Sequence, residues 1–334
     1  MVPSRPVRIG WTAILACMVL GLAIQGAEPA AAPPPESLQD RAWQAHMRLA
    51  KEAFQRHDYA EAEAEVQAAV KSAQDFGPQD ERLIGTLSSL VAVYAAQAKY
   101  ADAESPARRV VEIQEKVRGA EDPEVAVALN DLAKCCKEQG KFAEAEPLYK
   151  RALAIIEKAK GPQEAQAGML LSSLGELYRD QGKLDEADRA CRRALAIREK
   201  ACGPCSYFTT QTLHVLGTIC AAQGKLADAE AAHRRALDGR KKSLGWNRPV
   251  MMESMAYVAD ACKAQGKFGE AETLYKQALA MAEVGMEPGP AILATVCEKY
   301  ADLLRKAKRD DEAAKLEQQA KEARTAKAGP SATK

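Results

Sequence analysis

One fixed interval governs this chain. Gln139-Gly140-Lys141 returns as Gln181-Gly182-Lys183, Gln223-Gly224-Lys225 and Gln265-Gly266-Lys267, and Gln97-Ala98-Lys99 fills the register before them. Ala145, Ala187, Ala229 and Ala271 keep the same spacing, as do Ala152-Leu153, Ala194-Leu195, Ala236-Leu237 and Ala278-Leu279. Gly77, Gly119, Gly161, Gly203 and Gly245 mark a second turn in each unit. Degenerate copies flank the array at 57–62 and 308–313. A fixed period of this length means that one supersecondary unit is stacked on copies of itself, because no single unit can bury its own apolar face.

The third unit shows what is stacked. Asp122-Pro123 supplies an N-cap followed by proline in the first turn. Ala126, Leu129, Leu132, Ala133 and Cys136 then fall on one helical stripe. Gly140 ends that helix with a left-handed residue. Phe142, Ala145, Leu148, Tyr149, Ala152 and Ile156 form the stripe of a second helix, which Gly161-Pro162 stops. The small side chains at 145 and 152 let the two helices approach closely. The reading is therefore all-α, an α-solenoid of about seven helix hairpins over residues 39–325. Its first helices fall near 39–56, 80–97, 122–139, 164–181, 206–223, 248–265 and 288–307. The first and last copies lack the inter-helix glycine and carry more polar outer faces, as caps must, so the charge near 305–324 reads as a solvated cap.

The phrase from Gln139 to Ile155 (QGKFAEAEPLYKRALAI) resembles the tetratricopeptide repeat, in the longer form of kinesin light chain-like proteins. The resemblance implies a right-handed α-solenoid, an interaction scaffold whose first helices line an inner groove. It places Ser88, Ala92, Asn130, Lys134, Lys137, Ser172, Glu176, Arg179, His214, Thr218, Glu253, Asp260, Lys263, Glu298, Asp302 and Arg305 at inward positions. In kinesin light chain-like arrays an asparagine at the position of Asn130 contacts the backbone of an extended peptide. Here Ser172, His214 and Ala256 replace it in later units, so the kinesin cargo specificity is not expected to carry over. The groove residues expected to meet a partner are Asn130, Lys134, Lys137, Ser172, Glu176, Arg179, His214, Thr218, Asp260 and Lys263. The charge pattern predicts a groove that is basic near Lys134 and Lys137 and more acidic towards Glu253, Asp260 and Asp302, able to orient a segment carrying both signs.

Other chemistry finds little support. Lys plus Arg is 47 and Asp plus Glu 46, a net charge of +1, so nothing draws the chain to nucleic acid. Cys202-Gly203-Pro204-Cys205 is spelled like a redox centre, but Gly77-Pro78 and Gly161-Pro162 hold the same turn, and no strand precedes it. A local disulfide between Cys202 and Cys205 stays open, as do two free thiols. Cys136, Cys220 and Cys262 share a core register. Zinc would need a second ligand pair beside Cys202 and Cys205, and Cys191 and His214 do not converge on it. Paired carboxylates such as Glu144/Glu146 and Asp228/Glu230 recur in every unit, so they read as helix-surface ion-pair partners. No metal, cofactor or catalytic residue is expected.

Arg5 and Arg8 precede an apolar run from Ile9 to Ile24, which reads as a signal peptide or N-terminal anchor over 1–26. A Pro/Ala-rich linker at 27–38 follows, and 326–334 reads as a disordered tail. The expected protein is exported (periplasmic or extracellular) or membrane-anchored by its N-terminal segment, and holds a protein or peptide partner without catalysis. The alternatives are a thiol–disulfide oxidoreductase built on Cys202 and Cys205, or a spacer that self-associates.

Overall fold

The computed structural model describes residues 37–243, 248–283 and 290–325. The expected signal, linker start and C-terminal tail lie outside the described residues. Within them the chain forms fourteen helices and no strand. In chain order these are α1 (Leu38–Gln55), α2 (Tyr59–Gln74), α3 (Glu81–Ala96), α4 (Tyr100–Arg118), α5 (Pro123–Glu138), α6 (Phe142–Lys160), α7 (Ala165–Asp180), α8 (Leu184–Cys202), α9 (Tyr207–Ala222), α10 (Leu226–Ser243), α11 (Arg248–Ala264), α12 (Phe268–Glu283), α13 (Pro290–Lys306) and α14 (Asp310–Thr325). Odd-numbered helices are the first members of seven hairpins. Their limits match the sequence expectation to within a residue or two.

The helices fall into two compact units divided between Pro162 and Gln163. The earlier unit holds three hairpins, α1 to α6, and the later unit four, α7 to α14. In each, the two helices of a hairpin pack together, and the second helix packs on the first helix of the next hairpin, as α2 does on α3 and α8 on α9.

Small residues make this packing possible. The alanine near the start of each second helix (Ala62, Ala103, Ala145, Ala187, Ala229, Ala271, Ala313) has no exposed surface. A larger side chain there would push the paired helices apart. Tyr149 and Tyr275 fill the wider gaps and are fully buried. Several first helices begin on side-chain caps, although Glu164 before α7 forms none. Asp80 accepts from the Arg82 amide, Asp122 from Glu124 and Ser206 from Thr209. The helices α4, α6 and α8 have lysine at the cap position and no side-chain cap, because a tight turn feeds them directly.

That turn is the Gln-Gly-Lys motif, and it does more than stop a helix. Gly140 has φ 77°, a conformation open to glycine at little cost. The flanking side chains reach back to the preceding hairpin. Gln139 Nε2 donates to the Tyr100 carbonyl at 3.2 Å and to Glu104 at 2.8 Å, and Lys141 Nζ bonds the same carboxylate at 2.6 Å. Gln97 and Lys99 repeat this on Tyr59 and Glu63, and Gln265 and Lys267 on Leu226 and Glu230. Gln223 bonds the Leu184 carbonyl and Asp185. The bond from Lys141, with that of Arg108, holds the Glu104 carboxyl down at about 2, and Lys267 and Arg234 do the same for Glu230. The recurring motif is a joint between hairpins.

Candidate functional site: the faces of the first helices

The positions expected to face a partner lie along the seams between neighbouring first helices, and several meet one another there. In the later unit Ser172 Oγ lies 3.0 Å from Thr212 Oγ1, and Arg179 donates to Thr218 Oγ1 at 3.4 Å and to Asp180 at 2.8 Å. Lys263 bridges Asp260 (2.9 Å) and Asp302 (3.2 Å). Asp260 also accepts from Tyr275 Oη at 2.5 Å and pairs with Lys299. These attractions hold the Asp260 carboxyl below its ordinary value against the opposing effect of burial, which is the largest single influence. Lys299 rests 4.5 Å from the centre of the Tyr257 ring. Glu176 is half-buried on the same face.

His214 stacks into a cluster that its sequence position did not announce. Its ring centre lies 3.8 Å from that of Tyr257 and 5.2 Å from that of His233. Burial, reinforced by the charge of His233, drives the His214 pKa well down, and burial takes His233 to about 4. Gly217 makes room for the second ring: a Cβ there would meet His233 atoms at 2.5 to 2.7 Å. Arg198 and Arg240, one full period apart in the sequence, are also buried. Arg198 donates to the Phe208 carbonyl and Thr212, and Arg240 to the Val250 carbonyl and Ser254. Burial lowers both guanidinium pKa values. Glu253 stands half-buried, its carboxyl raised by burial and partly restored by Arg240.

In the earlier unit the expected residues are less open. Asn130 is buried, and its Nδ2 donates to Asp131 at 3.3 Å. Lys137 is buried and pairs with Glu138 at 3.1 Å. Lys134 is half-buried. Ser172 of the later unit shares the burial of Asn130. These three positions are buried, which leaves Lys134, Glu176, Arg179, His214, Thr218, Asp260 and Lys263 as the partly open members of the predicted set. Residues missed from sequence are Asp131, Arg198, His233, Arg240, Tyr257 and Lys299. Only the shared register of Arg198 and Arg240 was visible there.

The core cysteines carry a second recurring arrangement. Cys136 lies between Glu104 and Glu144, and Cys262 between Glu230 and Glu270, with one ligand atom of each residue within 4.8 Å of the others. Arg108 pairs with Glu104 at 2.7 Å and Glu144 at 2.9 Å, and Arg234 with Glu230 at 2.7 Å and Glu270 at 2.5 Å. Burial pushes the Cys262 thiol up to about 11 and raises Cys136. Protonated thiols beside carboxylates already neutralised by guanidinium and ammonium groups do not suit a divalent cation. Asp188, Arg192, Cys220 and Asp228 repeat the pattern in looser form, with Arg192 2.9 Å from Asp188.

Cys202 is exposed and Cys205 half-buried, and both are free thiols. Cys202 is the last residue of α8. The pair sits in the same inter-hairpin turn as Gly119 to Asp122, where the amide of the fourth residue returns to the glycine carbonyl: 3.4 Å from Ser206 to Gly203 and 3.2 Å from Asp122 to Gly119.

A sequence profile described as the MalT-like TPR region matches residues 50–243, and a second, described as tetratricopeptide repeat, matches 208–283. The chain belongs to the tetratricopeptide repeat family. No curated protein matches it in sequence. Among solved structures, BtubC from P. vanneervenii is 19% identical, with TM-score 0.56 over 76% of this chain and 95% of that one. Repeats of a putative kinesin light chain from Podosopora anserina are 22% identical, with TM-score 0.54 over 63% of this chain and 99% of theirs. A Rap protein complexed with Competence and Sporulation Factor is 14% identical, with TM-score 0.55 over 85% and 78%. These tetratricopeptide neighbours share the hairpin-repeat fold.

Proposed function

We propose that this tetratricopeptide protein is a non-enzymatic scaffold that holds a protein or peptide segment against the faces of its first helices. One observation carries the reading. Along the array the joint positions repeat the same residues, glutamine, glycine, lysine and alanine, whereas the face positions change from hairpin to hairpin. The register of Lys134 reads Glu176, Thr218 and Asp260 in the following units, all of them half-buried. Packing spends the constant positions, and the changing, partly exposed ones are left to distinguish a partner. The Rap protein complexed with Competence and Sporulation Factor supports the same reading, as a likeness of fold.

The test is capture of partners by the full chain from the cells that make it, compared with the triple variant Lys134→Ala, Glu176→Ala, Thr218→Ala. Capture should fall while helicity by circular dichroism stays unchanged; undiminished capture removes these faces from the reading. The proposal includes export or tethering by residues 1–26, which the mass of the chain recovered from the envelope fraction checks. An insulin-reduction assay on wild type and Cys202→Ser should give background activity from both.

A further inference from the structure

We propose that the earlier unit carries, between two of its first helices, a subsite that takes the ammonium tip of a lysine side chain from a bound protein segment. This rests on the scaffold reading above. A small cavity of about 40 Å³ opens between α3, α4 and α5. Its polar lining is Ser88 of α3, Gln114 of α4, and Glu124 and Asp131 of α5, with Val91 and Val110 among the apolar walls.

Gln114 is 8% exposed, and its Oε1 has no hydrogen-bond donor among the described residues. A buried carbonyl oxygen left in that state is costly, so a native cavity lined by one calls for a donor. The Asp131 carboxylate accepts from Asn130 at 3.3 Å. Burial raises its pKa to about 6, and the charge of Lys134 with the Asn130 bond offsets only part of that. The cavity thus presents an amide oxygen, two carboxylates and a hydroxyl, three of the four able only to accept. Its occupant must donate several hydrogen bonds and carry positive charge.

Size selects among cations. At about 10–15 Å³ for each water-sized group, the cavity holds roughly three such groups. That is the last two methylenes and the ammonium of lysine, which has three donors to share between Gln114 Oε1, the Asp131 carboxylate and one further acceptor. A guanidinium is planar, carries four heavy atoms and presents five donors in a rigid fork, so it takes up at least the whole of that space and leaves none for its methylenes. A hard dication prefers six or more oxygen ligands, which a half-apolar lining does not supply.

The experiment follows the Gln114 side-chain amide by NMR in the full chain during titration with N-acetyl-lysine methylamide. The norleucine and arginine analogues serve as uncharged and oversized probes. A saturable shift with the lysine probe, none with norleucine, and affinity for arginine about tenfold weaker or less are expected. Asp131→Asn should weaken lysine binding by about tenfold or more. Equal responses to lysine and norleucine, unchanged affinity in Asp131→Asn, or no shift at any concentration (a cavity holding water alone) would overturn the proposal. If Asp131→Asn does not fold, Gln114→Met, which keeps length and helix propensity but removes the acceptor, must show the loss instead, read from the backbone amides of Val110 and Val91 on the cavity wall. Partner capture that is intact in wild type and Asp131→Asn alike sinks the lysine subsite and spares the scaffold. Lysine-probe binding without any captured partner does the reverse.

Discussion

Among the described residues three other than glycine adopt the left-handed conformation: His57 at φ 61°, Ala98 at 56° and Lys308 at 59°. Each stands where the other hairpins use Gly140, Gly182, Gly224 and Gly266. A side chain there is strained by about 1 kcal/mol, so Ala98→Gly should raise stability by up to about 1 kcal/mol and Gly140→Ala should lower it by a similar amount. Urea denaturation of the two variants checks both signs. The lack of glycine in the terminal copies was legible in sequence, and the structure shows that the turn keeps its shape without it. The histidines were not legible in this way. The pKa of His233 falls from an ordinary 6.5 to about 4 because the ring is buried against Tyr257 and His214. A base whose folded pKa is lowered binds fewer protons folded than unfolded, so stability is complete above about pH 6.5 and falls as pH drops towards 4. For His233 the full loss is about 3 kcal/mol. His233→Phe should flatten the decline in melting temperature between those pH values.

Elements are held by pairs of contacts whose two halves lie close to one repeat apart in sequence. The helices themselves were readable, since helical stripes, Asp-Pro starts and glycine stops act locally. The joints were only half readable. The repetition of Gln139 and Lys141 was plain, but their target, the Glu104 carboxylate on the previous hairpin, emerges only when α4 and α5 are stacked. Gln139→Leu removes bonds to Tyr100, Glu104 and Cys135 and should destabilise the chain by about 1–2 kcal/mol, measurable by urea denaturation. Gly217→Ala acts between α9 and α10. It drives a methyl into the His233 ring and should cost about 1–3 kcal/mol as overpacking, with the loss relieved in part by a smaller residue at 233. The candidate face was the least legible part. The register placed Arg179, Thr218, Lys263 and Asp302 at inward positions, but their pairing, the burial of Asn130 and Lys137 and the arrival of Lys299 and Tyr257 depend on how each helix is turned against its neighbours.

The whole molecule resolves into two compact units, one of three hairpins and one of four. Repeat arrays derive stability from each unit plus its nearest-neighbour interfaces, so each piece should stand alone. Fragments 37–162 and 163–325 are expected to be helical and to melt cooperatively, the four-hairpin fragment at the higher temperature. A fragment that is unstructured by circular dichroism would show that the chain depends on longer-range support. The period in the sequence already implied such a modular body, whereas a division after Pro162 has no counterpart in it, because the joint at Gln181-Gly182-Lys183 is spelled like the others.

The Gln-Gly-Lys joint also restricts how a chain like this can change over generations. The copies at Gln97, Gln139, Gln223 and Gln265 each grip a carboxylate and a carbonyl on the hairpin behind them. A duplicated or deleted block of one full period hands every survivor an identical partner. A block of any other size strands glutamines and lysines against the wrong turn of helix. Such a lineage lengthens and shortens in whole steps, and novelty gathers in the side chains that the joints never touch.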